Sequence, residues 1–173
     1  MSEIIDETGN KPEIQNWDDL NLKMELLRGI YACGFENPSE IQKLAIKPIL
    51  SGNDTIAQAQ SGTGKTGAFT ISTLQTIDTS NESLQAVIIA PTQELSKQIF
   101  NVIKQIGEFM DNLRLQLLIG GTSVQSDIDS LRKSSPHVVV GCSGRIFDMI
   151  KRRHLQMHTV KLFVLDEADE MLS

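Results

Sequence analysis

Residues 59–66 read Ala-Gln-Ser-Gly-Thr-Gly-Lys-Thr, AQSGTGKT. Glycine is unfavourable inside a helix or a strand, so Gly62 and Gly64 beside Lys65 mark a turn that bends sharply or lets its backbone approach a ligand closely. The run Thr55–Gln58 before it reads as a buried strand, and Lys65–Ile77 after it has the length of a helix. A turn from strand into helix gathers backbone N–H groups at the positive end of the helix axis, where anions bind. Ser61, Gly62, Thr63 and Gly64 then line a phosphate cradle, the Lys65 ammonium reaches the outer phosphates, and the Thr66 hydroxyl is a ligand for Mg²⁺. The usual pattern opens with glycine, where this chain has Ala59. The reading is a nucleoside triphosphate loop; the plainer alternative is a glycine-rich turn with an incidental lysine.

Outward from this loop, apolar runs at Ala86–Ala90, Leu115–Ile119, Val138–Val140 and Leu162–Leu165 predict further strands. Helix-length stretches lie between them at Glu94–Met110, Val124–Lys133 and Arg145–Arg153. Strands alternating with helices imply βαβ units and a parallel α/β sheet with helices on both faces. Upstream, Leu22, Leu26, Leu27 and Ile30 follow helical spacing until Gly34, and Pro38-Ser39 opens a second helix through Ile49. Residues 1–16 are polar and aperiodic, which predicts a flexible arm.

The chain has 173 residues, room for one domain with a real core. Sixteen basic against 22 acidic side chains give a net charge of −6, which argues against coating nucleic acid through bulk charge but leaves room for a local basic surface. No apolar run approaches a membrane span, and MSEIIDETGN lacks the layout of a signal peptide, so the expected location is cytoplasmic and no membrane partner is expected. Cys33 and Cys142 stand apart without a metal-ligand companion, and His137, His154 and His158 show no ligand spacing. Lys151-Arg152-Arg153-His154 reads as a solvated helix end more readily than as an RNA patch.

A phosphate loop needs a second half: an acidic residue at the tip of a buried strand to hold Mg²⁺, beside a group that orients the attacking water. LFVLDEAD at 162–169 supplies it, the strand Leu162–Leu165 ending in Asp166, Glu167 and Asp169. Helix capping would account for one or two of these carboxylates. It does not account for their pairing with AQSGTGKT.

Together AQSGTGKT and DEAD resemble the DEAD-box RNA helicases. GFENPSEIQ at 34–42 is similar to the family's adenine-reading Q motif, IAPTQEL at 89–95 to motif Ia, Ile119-Gly120-Gly121 to the GG motif, and GCSGR at 141–145 to motif Ib. LLRGIYACGFENPSEIQ and LDEADEMLS resemble the initiation-factor and exon-junction branches, and the likeness runs from Trp17 to Ser173. The resemblance implies a RecA-like P-loop NTPase domain that uses ATP and Mg²⁺ to unwind RNA, in translation initiation more than elsewhere, with initiation scaffold proteins as further partners. It implies that Gln42 reads the adenine edge, that Phe35 stacks on the base with Trp17 supporting the pocket, and that Ser61–Thr66 cradle the phosphates. Lys65, Asp166 and Glu167 are the implied catalytic residues, with Thr66 and Asp166 holding the metal; Asp169 links the nucleotide site to the rest of the engine, or is a solvated helix face.

For RNA, the resemblance implies contacts from Pro91, Thr92, Gln93, Gly120, Gly121, Ser143, Gly144 and Arg145. Here the chain departs from the pattern: Gln93 stands where the family has arginine, and Cys142-Ser143 where it has Thr-Pro. The first change removes a charged fork; the second removes a hydroxyl and restores a backbone N–H. Weakened RNA binding is expected. The family pattern continues beyond DEAD to an SAT-motif strand and a second helicase domain, so 17–173 is expected to be the first domain, incomplete at its C-terminal end, with the second absent. On that expectation the 173 residues alone at most bind nucleotide. A diverged, inactive paralogue acting as an interaction module stays open as the alternative.

Overall fold

Ala86–Ile89, Leu115–Leu118, Val138–Gly141 and Leu162–Leu165, rich in Val, Ile and Leu, form strands β1 to β4. The computed structural model describes residues 14–53, 55 and 64–172. The expected strand over Thr55–Gln58, apart from Thr55, and the loop residues Ser61, Gly62 and Thr63 lie outside the described residues. By its internal contacts the chain divides into two units, residues 1–75 with 105–109, and residues 76–104 with 110–173.

In the second unit the four strands pair in parallel in the order β2-β3-β1-β4. The central strands β1 and β3 are buried on both faces. Val87, Ile89, Val139 and Leu118 share a core with Ile128 and Leu131 of α5 (Val124–Lys133) and Ile146 and Met149 of α6 (Ser143–Lys151). Ala86, Ile88, Val138 and Val140, which alternate onto the opposite face, are also buried. Fully buried strands need apolar side chains at every position, which is why these runs do not alternate in the sequence. Gly141 permits a close approach, since a Cβ there would fall 1.9 Å from the Leu118 carbonyl oxygen. Among the described residues β4 pairs only with β1, and its Phe163 and Leu165 are about half exposed, at 47% and 51%.

The first unit is helical in its described part. α1 (Met24–Ala32) buries Leu26, Gly29 and Ile30; a Cβ at Gly29 would lie 1.8 Å from the carbonyl oxygen of Ile106, the last residue of α4 (Gln93–Ile106). α4 buries Ser96, Ile99, Ile103 and Ile106 at helical spacing. It ends at Ile106, short of the Met110 expected from the apolar pattern. α2 (Glu40–Leu50) starts at a complete capping box, Ser39 Oγ accepting from the Gln42 N–H while Gln42 Oε1 accepts from the Ser39 N–H. α3 (Lys65–Thr76) is buried all along Gly67–Leu74. Its Thr70, Ser72 and Thr73 hydroxyls donate to the carbonyls of Thr66, Ala68 and Phe69, so a helix carrying three hydroxyls can sit in an apolar interior. Ile14, within the expected arm, is buried, and the Gln15 and Asn16 N–H groups donate to Asp19.

Candidate functional site

In the first unit, Gln42 and the start of α3 meet. Gln42 is 2% exposed and its Nε2 donates to the Gly64 carbonyl at 3.1 Å. Gly64 has φ +96°, where a side chain is strained, and a Cβ there would crowd Ser39 Oγ at 2.5 Å and Gln42 Nε2 at 2.8 Å. A Cβ at Gly67 would meet the same Nε2 at 2.6 Å. The glycines therefore let the Gln42 amide lie against the backbone that enters α3. Among the described residues the amide uses one acceptor position on Ser39 and one donor on Gly64, with one N–H and one lone pair over. Lys65 and Thr66 occupy the first turn of α3 and are partly exposed.

Trp17 is fully buried, and its indole N–H donates to the Phe35 carbonyl at 3.0 Å. It thereby fixes the loop that presents the half-buried Phe35 ring. An apolar groove on α1, lined by Met24, Leu27, Tyr31 and Phe109 with the Arg28 guanidinium 4.2 Å above the Phe109 ring, contains none of the motif residues.

In the second unit, parallel pairing puts every strand's carboxyl end on one edge of the sheet, the edge where α/β proteins bind ligands. β2 leads into Ile119-Gly120-Gly121, β3 into Cys142–Arg145, β1 into Pro91-Thr92-Gln93, and β4 into Asp166-Glu167. The strand order sets these four segments side by side in that sequence. Hydrogen bonds from Cys142 N to Leu118 O (3.0 Å), Ala90 N to Gly141 O (3.0 Å) and Asp166 N to Ile89 O (2.9 Å) tie the strand ends together. Residues 119–122 and 142–145, far apart in sequence, thus lie along one edge with 91–93.

That rim is polar backbone and small side chains. Thr92, Gln93, Gly121, Thr122, Ser143 and Gly144 are exposed. Gln93 lies against the turn after β2, so that a Cβ at Gly120 or Gly121 would be 3.5 or 3.6 Å from its Nε2. Arg145 is turned inward: Nη1 donates to Asp127 Oδ2 and to Thr122 Oγ1 (3.2 Å), and Nη2 to the Thr122 carbonyl (2.9 Å). Cys142, where the family pattern has threonine, packs its Sγ 3.5 Å from the fully buried Ser96 Oγ, itself donating to the Thr92 carbonyl. Asp127 and Ser96 lie outside every motif and Thr122 carries no assigned role in the one that contains it, and only the topology brings them to Arg145 and Cys142.

At the β4 end Asp166 is 4% exposed. Glu167 adopts φ +51°, a left-handed conformation unfavourable for a residue with a long side chain. Asn21 and Asn112 share the region but asparagine tolerates it, and Arg153 closes the end of α6, where the His154 N–H returns to the Met149 carbonyl. Glu167 has no such excuse, and strain of this kind concentrates at functional positions. In the second unit the Asp166 carboxylate is a hard oxygen donor of the kind a divalent cation takes. Among the described residues no three His, Cys, Asp or Glu gather into a cage. A single carboxylate of this kind fits Mg²⁺, which takes one or two protein ligands and completes its shell with phosphate oxygens and water.

The family model described as "DEAD/DEAH box helicase" matches residues 39–173. The chain is 58% identical over 160 residues to the "ATP-dependent RNA helicase eIF4A" of Pyricularia oryzae, covering 92% of this chain and 40% of the relative. The protein of the same name from Scheffersomyces stipitis is 54% identical over 172 residues, covering 99% of this chain and 43% of the relative. Among solved structures, a DEAD box protein from Methanococcus jannaschii superposes with a TM-score of 0.84 at 38% identity, over 91% of this chain and 43% of that one. S. cerevisiae Dbp5 bound to RNA and ADP BeF3 gives 0.78 at 37% identity, over 91% and 39%. The chain thus spans about two fifths of the length of the curated relatives it matches. The matched model, the identities and the parallel sheet agree: this chain is a RecA-like domain and belongs to the DEAD/DEAH box helicase family.

Proposed function

We propose that this chain is the nucleotide-binding part of an ATP-dependent RNA helicase acting in translation initiation. The observation that carries this reading is the alignment of the GG, GCSGR and PTQEL segments along one edge of the sheet, with the DEAD carboxylates at its far strand. Relatives above 50% identity named eIF4A support the initiation role, and Dbp5, a structural relative, was solved with RNA and a nucleotide.

On this reading Phe35 and Gln42 hold the adenine, while Ser61, Gly62, Thr63, Gly64 and Lys65 cradle the phosphates. Thr66 and Asp166 would hold Mg²⁺, which when bound neutralises charge on the phosphate oxygens. Glu167 orients the attacking water. Asp169 couples this site to the rest of the engine. Pro91, Thr92, Gln93, Gly120, Gly121, Ser143, Gly144 and Arg145 make up the RNA face, which positions the strand through its backbone and carries no base readout. Initiation scaffold proteins are the implied partners, in the cytoplasm.

A fluorescent adenine nucleotide titrated into the full chain tests the nucleotide half. Displacement by ATP but not GTP is expected, and equal displacement by both would remove the base-reading role of Gln42. Restoring Gln93→Arg, Cys142→Thr and Ser143→Pro is expected to tighten RNA binding and to steepen its salt dependence by about 0.7 per phosphate gained. The three departures favour a second reading, an interaction module without chemistry. No nucleotide binding at all would select it.

A further inference from the structure

The reading of the rim as an RNA face raises the question of what Arg145 does there. We infer that Arg145 is a positioning residue: its guanidinium fastens the turn 119–122 to α5 through Asp127, and it does not itself take an RNA phosphate. The inference rests on the proposed RNA face.

Three observations carry it. The guanidinium is already satisfied, with Asp127 Oδ2, Thr122 Oγ1 and the Thr122 carbonyl all within hydrogen-bond distance. The pair is also largely withdrawn from water, the Arg145 side chain being 9% exposed and that of Asp127 11%. Swinging Arg145 out to a phosphate would strand the Asp127 carboxylate without its partner, which is strongly unfavourable in a dry site. Finally, the contacts converge on one residue of the turn. Arg145 grips Thr122 by both hydroxyl and carbonyl, and the Thr122 hydroxyl in turn donates to Ile119 O at 3.1 Å, which closes the turn around Gly121 at φ +83°.

The anchor is firm. Asp127 stands in the first turn of α5, where Ser123 caps the helix by accepting from the Ser126 N–H, and the Asp127 N–H bonds the Ser123 carbonyl. The exposed surface that results is the backbone of Gly121 and Thr122 beside Ser143 and Gly144. A phosphate would meet main-chain N–H groups there, held in place by an ion pair whose net charge is zero. Such a pair releases no counterions when RNA binds.

Asp127→Asn decides between the two roles by the sign of its effect. As a positioning residue, Arg145 loses its anchor in this variant, so RNA binding of the full chain weakens roughly tenfold, the scale of one charge-assisted hydrogen bond. As a phosphate ligand it would be released by the same change, and RNA would bind more tightly with a slope steeper by about 0.7. Amide hydrogen exchange supplies a readout that needs no RNA: Gly120, Gly121 and Thr122 should exchange faster in Asp127→Asn and Arg145→Gln, and return towards the wild-type rate in Asp127→Glu. Should Asp127→Asn not fold, Arg145→Lys replaces it. Lysine keeps the charge but not the fork, so the inference expects faster exchange of these amides, whereas a phosphate ligand would keep its salt slope and leave the exchange unchanged. Wild-type chain that binds no RNA would overturn the proposed RNA face, while unchanged exchange in the 120–122 amides would overturn the role given to Arg145.

Discussion

Gln42→Glu changes one atom of the buried amide that joins the cap of α2 to the entrance of α3. The new side chain still accepts from the Ser39 N–H, but once ionised it has no proton for the Gly64 carbonyl, which the Gln42 Nε2 now reaches at 3.1 Å. Leaving that carbonyl without a donor and facing it with a charge costs about 1–3 kcal/mol. The protonated acid does carry a donor, so the folded state favours it and the pKa of this Glu rises above its ordinary 4.3 or so. The sign follows: the variant's deficit against wild type is absent below the unfolded pKa, grows as pH rises through the folded one, and is constant above. At 1.36 kcal/mol per unit the change occupies roughly one to two pH units. Urea unfolding followed by Trp17, the one tryptophan of the chain and fully buried, measures it. A deficit independent of pH between about 4.5 and 8, or none at pH 8, would refute the bridge from Gln42 to Gly64.

Three further outcomes are expected. Gly141→Ala should lose at least about 2 kcal/mol in a circular-dichroism melt because its Cβ would sit 1.9 Å from the Leu118 carbonyl oxygen, whereas Gly144→Ala, with nothing within 4 Å, should stay within about 0.5 kcal/mol of wild type; equal losses would contradict the close strand contact. His137 is buried with Nδ1 accepting from the Arg114 N–H at 3.0 Å, and burial, reinforced by the Arg114 charge, pulls its pKa below the ordinary value against the opposing pull of the Thr79 backbone, Asp78 and Glu82. A depressed histidine favours the neutral folded form, so this contribution is complete above about pH 6.5 and is lost as pH falls below it; the wild-type urea midpoint should drop between pH 7.5 and 5.5 by more than that of His137→Gln. Glu167→Asn should raise the melting temperature, since asparagine tolerates φ +51° better by up to about 1 kcal/mol, and an unchanged or lower value would deny the strain.

The alternation of strands and helices and the likeness to the DEAD-box pattern were legible because each depends on residues close in sequence. The carboxylates do follow an apolar strand, and the parallel sheet follows from runs as apolar as β1 and β3, which are buried on both faces. Boundaries were less legible. The apolar pattern carries on through Phe109 and Met110, yet α4 stops before Gly107, and α6 starts at Ser143, two residues ahead of the expected Arg145. Missing altogether was the tie from Arg145 to Asp127 and Thr122, partners that lie 18 and 23 residues away. Charge pairing across that distance has no period; only the adjacency of β2 and β3 brings the two loops together. Trp17 was ambiguous between packing and function, and it turns out to pack in full while its N–H holds the Phe35 loop.

Calorimetric titration of ATP into the full chain, with and without Mg²⁺, in wild type, Lys65→Ala and Asp166→Asn, bears on whether one metal-bound triphosphate is served from both motifs. Wild type should bind more tightly with Mg²⁺; Asp166→Asn should lose that increment while keeping its metal-free affinity, and Lys65→Ala should weaken both. An Asp166→Asn protein that still gains the full Mg²⁺ increment would separate DEAD from the phosphate loop and contradict the reading.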